Sequence, residues 1–260
     1  MLRSPDGHVK ATLGRYAALD AVALATKISV FVEGNTKQMR IGILGGTGSQ
    51  GSGLALRLVI AGYSVALGSR VPERAQVEAS RLRERASDLR PEPTIVGAGN
   101  REVSSQSDVL ILAVPFAAAQ ETIAETVSSA PASALWVDVT VPLDFRAGRV
   151  SVSAPDEGSA SEALAPLLPH PKSLVGAFKT VPASSLADLA SPLDYDVFIC
   201  GDSTENKARV MDMISPILGL RAVDVGRLST ARTLEAMTAL LIGINRKHEV
   251  QAAHFRLMGL

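Results

Sequence analysis

Three glycines at fixed spacing, followed one strand later by a serine and two arginines, are the residues best suited to hold a charged ligand. Gly46, Gly48 and Gly51 satisfy G-x-G-x-x-G within the run Ile41-Gly-Ile-Leu-Gly-Gly-Thr-Gly-Ser-Gln-Gly51. The spacing is weak in isolation, because the chain holds 21 glycines. Here an apolar strand-like run precedes it and a helical pattern follows, which is the context the motif requires. In such a unit one glycine permits the tight turn, one lets the backbone approach a pyrophosphate, and one allows close helix–strand packing. Unpaired N–H groups at the helix start, with their partial positive charge, then hold the phosphates. Thr47, Ser49 and Gln50 can add side-chain donors. The expected ligand is a dinucleotide.

The next strand indicates which one. A site for NAD usually places Asp or Glu about 20 residues on, to accept from the ribose 2′-hydroxyl. No acid occurs between Gly51 and Glu73; the strand ends Leu67-Gly68-Ser69-Arg70, and Arg74 follows on the next helix. A carboxylate would repel a 2′-phosphate, whereas a hydroxyl and two guanidinium groups would hold it. Ser69, Arg70 and Arg74 therefore point to NADP(H).

Other chemistries lack their residues. The tyrosines Tyr16, Tyr63 and Tyr195 are followed four positions later by Asp20, Leu67 and Ile199, so the Tyr-x-x-x-Lys pair of short-chain reductases is missing. No G-x-S-x-G is visible, which removes support for nucleophilic hydrolysis. His8, His170, His248 and His254 show no ligand spacing, and no metal site is expected. Cys200 lies in the apolar run Tyr195–Cys200 and reads as a buried structural thiol; a single cysteine also suits a reducing cytoplasm.

These residues need elements to position them. Apolar runs at Arg40–Leu44, Ser64–Leu67, Thr94–Val96, Asp108–Val114 and Ala134–Val139 read as strands. Helical patterns at Gly51–Ala61, Pro72–Leu89 and Phe116–Ser128 alternate with them. That alternation predicts an α/β fold, a Rossmann-type doubly wound parallel sheet. After Pro142, Ser151–Pro171 reads as a loop with one helical turn. Strand Leu174–Phe178 then resumes the sheet, and further elements lead to a long helix from Thr230 to about Phe255. The expected organisation is a dinucleotide-binding domain over 39–172 and a smaller α/β C-terminal lobe over 173–260. Residues 1–38 read as an upstream extension ahead of Met39, or as a loosely attached helix around Tyr16–Val32. They make a poor secretory signal, because Asp6, Asp20 and Lys27 interrupt the charged and apolar parts.

Composition narrows the partners. With 26 basic and 26 acidic side chains there is no excess charge for a nucleic-acid surface or a membrane anchor. Aromatics at 4% leave little for base stacking. No apolar run reaches the roughly 18–20 residues that span a bilayer.

Taken in order, several motifs resemble the F420-dependent NADP reductases. They are Met39–Leu58, Gly68-Ser69-Arg70, Val114-Pro115-Phe116, Ala177-Phe-Lys-Thr-Val-Pro182-Ala183, Asp196–Asp202 and Gly219-Leu-Arg-x-x-Asp224-x-Gly226. The likeness runs from Met39 nearly to the C-terminus. It implies hydride transfer between NADP(H) and the deazaflavin coenzyme F420, in a homodimer. It implies that Val114, Pro115, Phe116 and the turn around Pro142 lie along the nicotinamide. Lys179, Val181, Pro182 and Ala183 would border the deazaflavin, with the tail near Phe255 closing the pocket. Lys179 is the candidate catalytic side chain, expected either to meet negative charge on the reduced deazaflavin or its phosphate-bearing tail, or to stand as a solvated lysine at a strand end. Two alternatives use the same NADP site: an NADPH-dependent reductase of a small imine or ketone, and a non-enzymatic NADP(H) sensor.

Overall fold

The computed structural model describes residues 39–146 and 148–260, so the readings for residues 1–38 fall outside it. The first half runs β1 (Arg40–Leu44), α1 (Ser49–Ile60), β2 (Ser64–Ser69), α2 (Pro72–Ser87), β3 (Ile95–Gly99), α3 (Asn100–Ser105), β4 (Val109–Leu112), α4 (Phe116–Thr126) and β5 (Leu135–Asp138). The second half runs β6 (Leu143–Arg146), β7 (Arg149–Val152), α5 (Ala160–Leu164), β8 (Leu174–Gly176), α6 (Ala183–Ala187), β9 (Tyr195–Gly201), α7 (Thr204–Ile214), β10 (Leu220–Asp224) and α8 (Ala231–His248).

Eight strands form one sheet in the order β10-β9-β8-β5-β4-β1-β2-β3. From β3 across to β8 every pairing is parallel. β9 then pairs antiparallel with β8, at Val175↔Gly201 and Gly176↔Cys200, and β10 runs parallel to β9. The C-terminal strands thus continue the sheet of the nucleotide-binding half with their direction reversed. Parallel central strands are covered on both faces, which is why β4 is an unbroken apolar run, Val109–Leu112, buried throughout. One apolar cluster holds Ile41, Ile43, Leu54, Leu58 and Ile111 on one side of the sheet. Another holds Leu44, Leu110, Leu112, Trp136 and Leu174 on the other.

α2 shows why the charged stretch is still a helix. Its buried residues are Ala75, Ala79, Leu82 and Ala86, a narrow stripe at helical spacing, with Pro72 at the first turn. Gly97 of β3 is needed for this contact, since a Cβ there would lie 2.1 Å from the Ala75 carbonyl carbon. Because β2 and β4 flank β1 on opposite sides, the chain's direction of progress reverses at β1. The crevice beyond the C-terminal ends of β1 and β4 is where α/β sheets bind ligands.

Three local features depart from the sequence reading. α3 and the β6–β7 hairpin were not expected; each is too short to show a period, and the hairpin turns through Gly148 at φ 75°. The last helix stops at His248 rather than near Phe255. Its apolar spacing ends at Ile244, three basic residues fill the last turn, and Glu249 adopts φ 54° and closes back on the Asn245 carbonyl.

Candidate functional site

The glycine turn begins one residue earlier than the motif suggests. Gly45 follows β1 at φ 75°, and a Cβ there would lie 2.4 Å from Val114 Cγ1. The tight turn therefore depends on Gly45, whose only signal in the sequence is its tandem placement before Gly46. The Gly46 amide donates to the Gly68 carbonyl at 3.0 Å, fastening the turn to β2. Gly51 allows the helix to close on the turn, because its Cβ would meet Gly46 Cα at 2.8 Å. Gly48 differs from both: its Cβ would meet nothing nearer than the Gly45 carbonyl oxygen at 3.6 Å. The protein does not need glycine there, but a ligand approaching the backbone would. Gly48 caps α1 without any side-chain bond, and no acid lies in the first turn. Thr47, Gly48 and Ser49 are exposed. The first N–H groups of α1 are thus left for an anion.

At the end of β2, Ser69 is buried and its Oγ accepts from the Val71 amide at 3.1 Å, which leaves the hydroxyl proton free to donate. Arg70 and Arg74 are exposed, and neither forms a salt bridge among the described residues. A hydroxyl and two uncommitted guanidinium groups thus stand beside the turn.

A cleft of about 550 Å³ opens next to α1. Gly48, Ser49 and Gln50 line it together with Val114, Pro115 and Phe116 at the start of α4. Val139, Thr140, Val141 and Leu143, beyond β5, form its floor; Pro142 between them is buried and does not itself face the cleft. Lys179, Val181, Pro182 and Ala183 line the opposite wall with Phe178 and Ser184. Gly46, Thr47, Gly51, Ser69, Arg70 and Arg74 lie outside this cleft, along the turn and at the end of β2. Gln50 Nε2 lies 3.5 Å from the carbonyls of Phe178 and Val181, so its side chain spans to the far wall instead of waiting beside the turn.

Sequence reasoning missed the wall that α8 supplies. Thr238, Leu241, Ile242 and Asn245 face the cleft at helical spacing, a pattern indistinguishable in sequence from ordinary core packing. The tail borders the cleft through Gln251 and Ala253, and Phe255 does not line it. Asn245 Oδ1 accepts from the Ala253 amide at 2.9 Å, and Ser184 Oγ donates to the Gln251 carbonyl at 3.2 Å. Farther on, Asp196 accepts from the Leu257 amide and takes a two-pronged bond from Arg221 at 2.7 and 2.8 Å. Phe255 packs on the cluster of Phe198, Cys200, Ala231 and Leu234.

Lys179 requires a correction. Its backbone borders the cleft, but its side chain is wholly buried, 2.7 Å from Asp138 Oδ2 and 3.2 Å from Glu235 Oε1. Its third bond goes to the Thr140 carbonyl at 2.5 Å. Three donors meet three acceptors, so no proton is left for a coenzyme, and the ammonium is neither a ligand contact nor a solvated strand-end charge. Burial works to strip its proton, yet the two carboxylates outweigh burial and hold its pKa above the ordinary lysine value. Burial pushes Glu235 above the usual carboxylate range, against the pull of Lys179. Asp138 also accepts from Ser161 Oγ at 2.6 Å and from the Thr140 amide at 2.8 Å. The group joins β5, the turn after β8 and α8 beneath the cleft. That turn carries strain, with Phe178 at φ 56°.

Cys200 is fully buried, and burial lifts its thiol to about 12, which leaves it inert. Among the described residues lining the cleft, no carboxylate or imidazole stands ready for proton transfer. Among the described residues, no group of three His, Cys, Asp or Glu is placed to hold a metal ion, and no helix is long and apolar enough to cross a membrane. The arrangement can bind phosphates at one end and enclose flat, largely apolar rings at the other.

A family model and several relatives resemble the chain. The family described as NADP oxidoreductase, coenzyme F420-dependent, matches residues 40–142. An F420-dependent NADP reductase of Methanothermobacter marburgensis is 38% identical over 225 residues, covering 85% of this chain and 99% of the relative. Its counterpart from Methanocaldococcus jannaschii is 36% identical over 224 residues, covering 85% and 99%. A crystal structure from Arthrobacter, assigned to the same reductases, superposes with a TM-score of 0.67 at 26% identity. It covers 85% of this chain and 100% of that one.

Proposed function

The chain belongs to the F420-dependent NADP reductase family, and from that membership we infer that it is an oxidoreductase carrying a hydride between NADP(H) and the deazaflavin coenzyme F420. The observation that carries this reading is the cleft. It adjoins the uncapped glycine turn, has room for stacked rings, and offers no free acid or base. The two coenzymes supply the chemistry, since hydride passes directly from one ring to the other. The protein's work is to hold the rings in contact and to keep water out.

Each element has a part in that work. The free N–H groups at the start of α1, helped by Thr47 and Ser49, hold the pyrophosphate. Ser69 donates to the 2′-phosphate, and Arg70 and Arg74 neutralise it. Val114, Pro115, Phe116 and the turn through Pro142 support the nicotinamide. Val181, Pro182 and Ala183 support the deazaflavin, while Gln50 ties the two walls together. Lys179 carries no proton to the reaction; with Asp138 and Glu235 it holds the floor in place. The protein acts in the cytoplasm as a homodimer. Leu240 and Phe145, each more than half exposed, and the open Gly243 support the second point.

Mixing the protein with NADPH and oxidised F420 tests the reading. The deazaflavin absorbance should bleach in proportion to the NADPH consumed. Tight NADPH binding without any bleaching would leave an NADPH reductase of some other acceptor, or a sensor.

A further inference from the structure

Thr140 Oγ1 is buried and has no hydrogen-bond partner, a condition it shares among the described side chains only with Asn100 Oδ1. Buried polar groups in native proteins are nearly always paired, and one that is not requires an explanation. Asn100 stands away from the cleft, at the start of α3. Thr140 lines it, between Val139 and Val141, and is 3% exposed.

Thr140 has little freedom to move toward a partner. Its amide donates to Asp138 Oδ1 at 2.8 Å, and its carbonyl accepts from Lys179 Nζ at 2.5 Å. Asp138 and Lys179 are themselves fixed by Ser161 and Glu235. Four buried polar side chains thus anchor the backbone of a residue whose own hydroxyl none of them satisfies. Valine has the same shape without the unpaired group, and valines stand on both sides. A hydroxyl kept here, on the floor of the cleft, has its use when the cleft is filled.

We propose that the Thr140 hydroxyl is a ring-recognising contact, which on binding pairs with an amide group of a ring in the cleft. Both coenzymes present that chemistry, NADP(H) in its nicotinamide carboxamide and F420 in the dione edge of its deazaflavin. Rotation about Cα–Cβ by about 120°, from one staggered position to the next, turns the hydroxyl without moving the anchored backbone. A hydroxyl donates and accepts at once, so either face of an amide suits it. This contact rests on the proposed function, because it requires those rings to occupy the cleft.

The test compares the wild type with Thr140→Val and Thr140→Ser in direct binding titrations of NADPH, F420 and 2′,5′-ADP, the last of which keeps the phosphates and lacks the ring. In Thr140→Val one ring-bearing ligand should weaken by about five- to tenfold, the worth of one hydrogen bond. A loss confined to NADPH assigns the carboxamide, and one confined to F420 assigns the dione. Binding of 2′,5′-ADP should not change, Thr140→Ser should restore the ring affinity, and the Thr140→Val apoprotein should melt no lower than the wild type. Unchanged affinity for both rings overturns the proposal, as does a parallel loss of 2′,5′-ADP binding or a lowered melting temperature, which would show a structural hydroxyl. A wild type that binds neither NADPH nor F420 would instead overturn the function on which the proposal rests.

Discussion

Arg70 and Arg74 stand exposed beside Ser69 with no carboxylate bonded to either among the described residues. A charge-assisted bond to phosphate contributes roughly 1.5–3 kcal/mol. Reversing one of these charges, in Arg70→Glu, should weaken NADPH by about 10–100-fold and leave NADH within about threefold. Equal losses for the two nucleotides would remove the 2′-phosphate assignment. This preference was legible in the sequence because its residues are local, one strand and one helical turn beyond the glycines. The role of Lys179 was not legible, because its partners arrive from β5 and α8, far off in the chain. Lys179→Met leaves two acids buried without their cation, which costs about 3–5 kcal/mol. At about 2–4 °C per kcal/mol for a chain of this size, thermal melting should fall by roughly 6–20 °C. The sign with pH follows from the raised lysine: its contribution is complete below the ordinary value of 10.5 and is lost as pH climbs through the higher folded value.

At the scale of elements, the glycine turn separates what the fold needs from what the ligand needs. Gly45→Ala forces a side chain at φ 75° into Val114 and should destabilise the protein outright. Gly48→Ala finds ordinary contact distances, so its melting temperature should stay within about 2 °C of the wild type. Its NADPH affinity should nevertheless fall at least tenfold, as read by fluorescence titration, because the methyl occupies the approach to the phosphates. If both variants lose stability alike, Gly48 is a packing residue. The buried strands were legible as apolar runs and the long helices by their repeating period; the hairpin and α3 were not, because they are short and mix polar with apolar residues. The cleft wall from α8 was hidden for another reason, since an apolar helix face reads the same whether it meets a sheet or a ring. The tail strap responds to acid in a defined sense. Arg221 holds the Asp196 carboxyl below its ordinary 3.8, so the clamp is complete above that value and lost as pH falls through the lower folded one. Amide exchange at Leu257, which donates to Asp196, should accelerate relative to the core only in that acidic range.

For the whole molecule, the sheet brings together residues that no local motif connects. The phosphate turn lies after β1, the floor after β5, one wall after β8 and the other on α8. The sequence disclosed the first of these directly, and the rest only through resemblance to a family. The same assembly leaves Leu240 and Phe145 outward, and light scattering should report twice the chain mass in solution. Leu240→Glu should shift that mass toward a single chain, and a wild type already monomeric would remove the dimer.

Two rings seated in direct contact in the cleft would pass hydride from one to the other without its meeting water. NADPH carrying deuterium on the transferred face of its nicotinamide, mixed with oxidised F420 and the protein in ordinary water, tests this by mass spectrometry of the reduced deazaflavin. Full retention of one deuterium per F420 reduced is the predicted result. Reduced F420 carrying only solvent hydrogen, or no reduction at all, would contradict it.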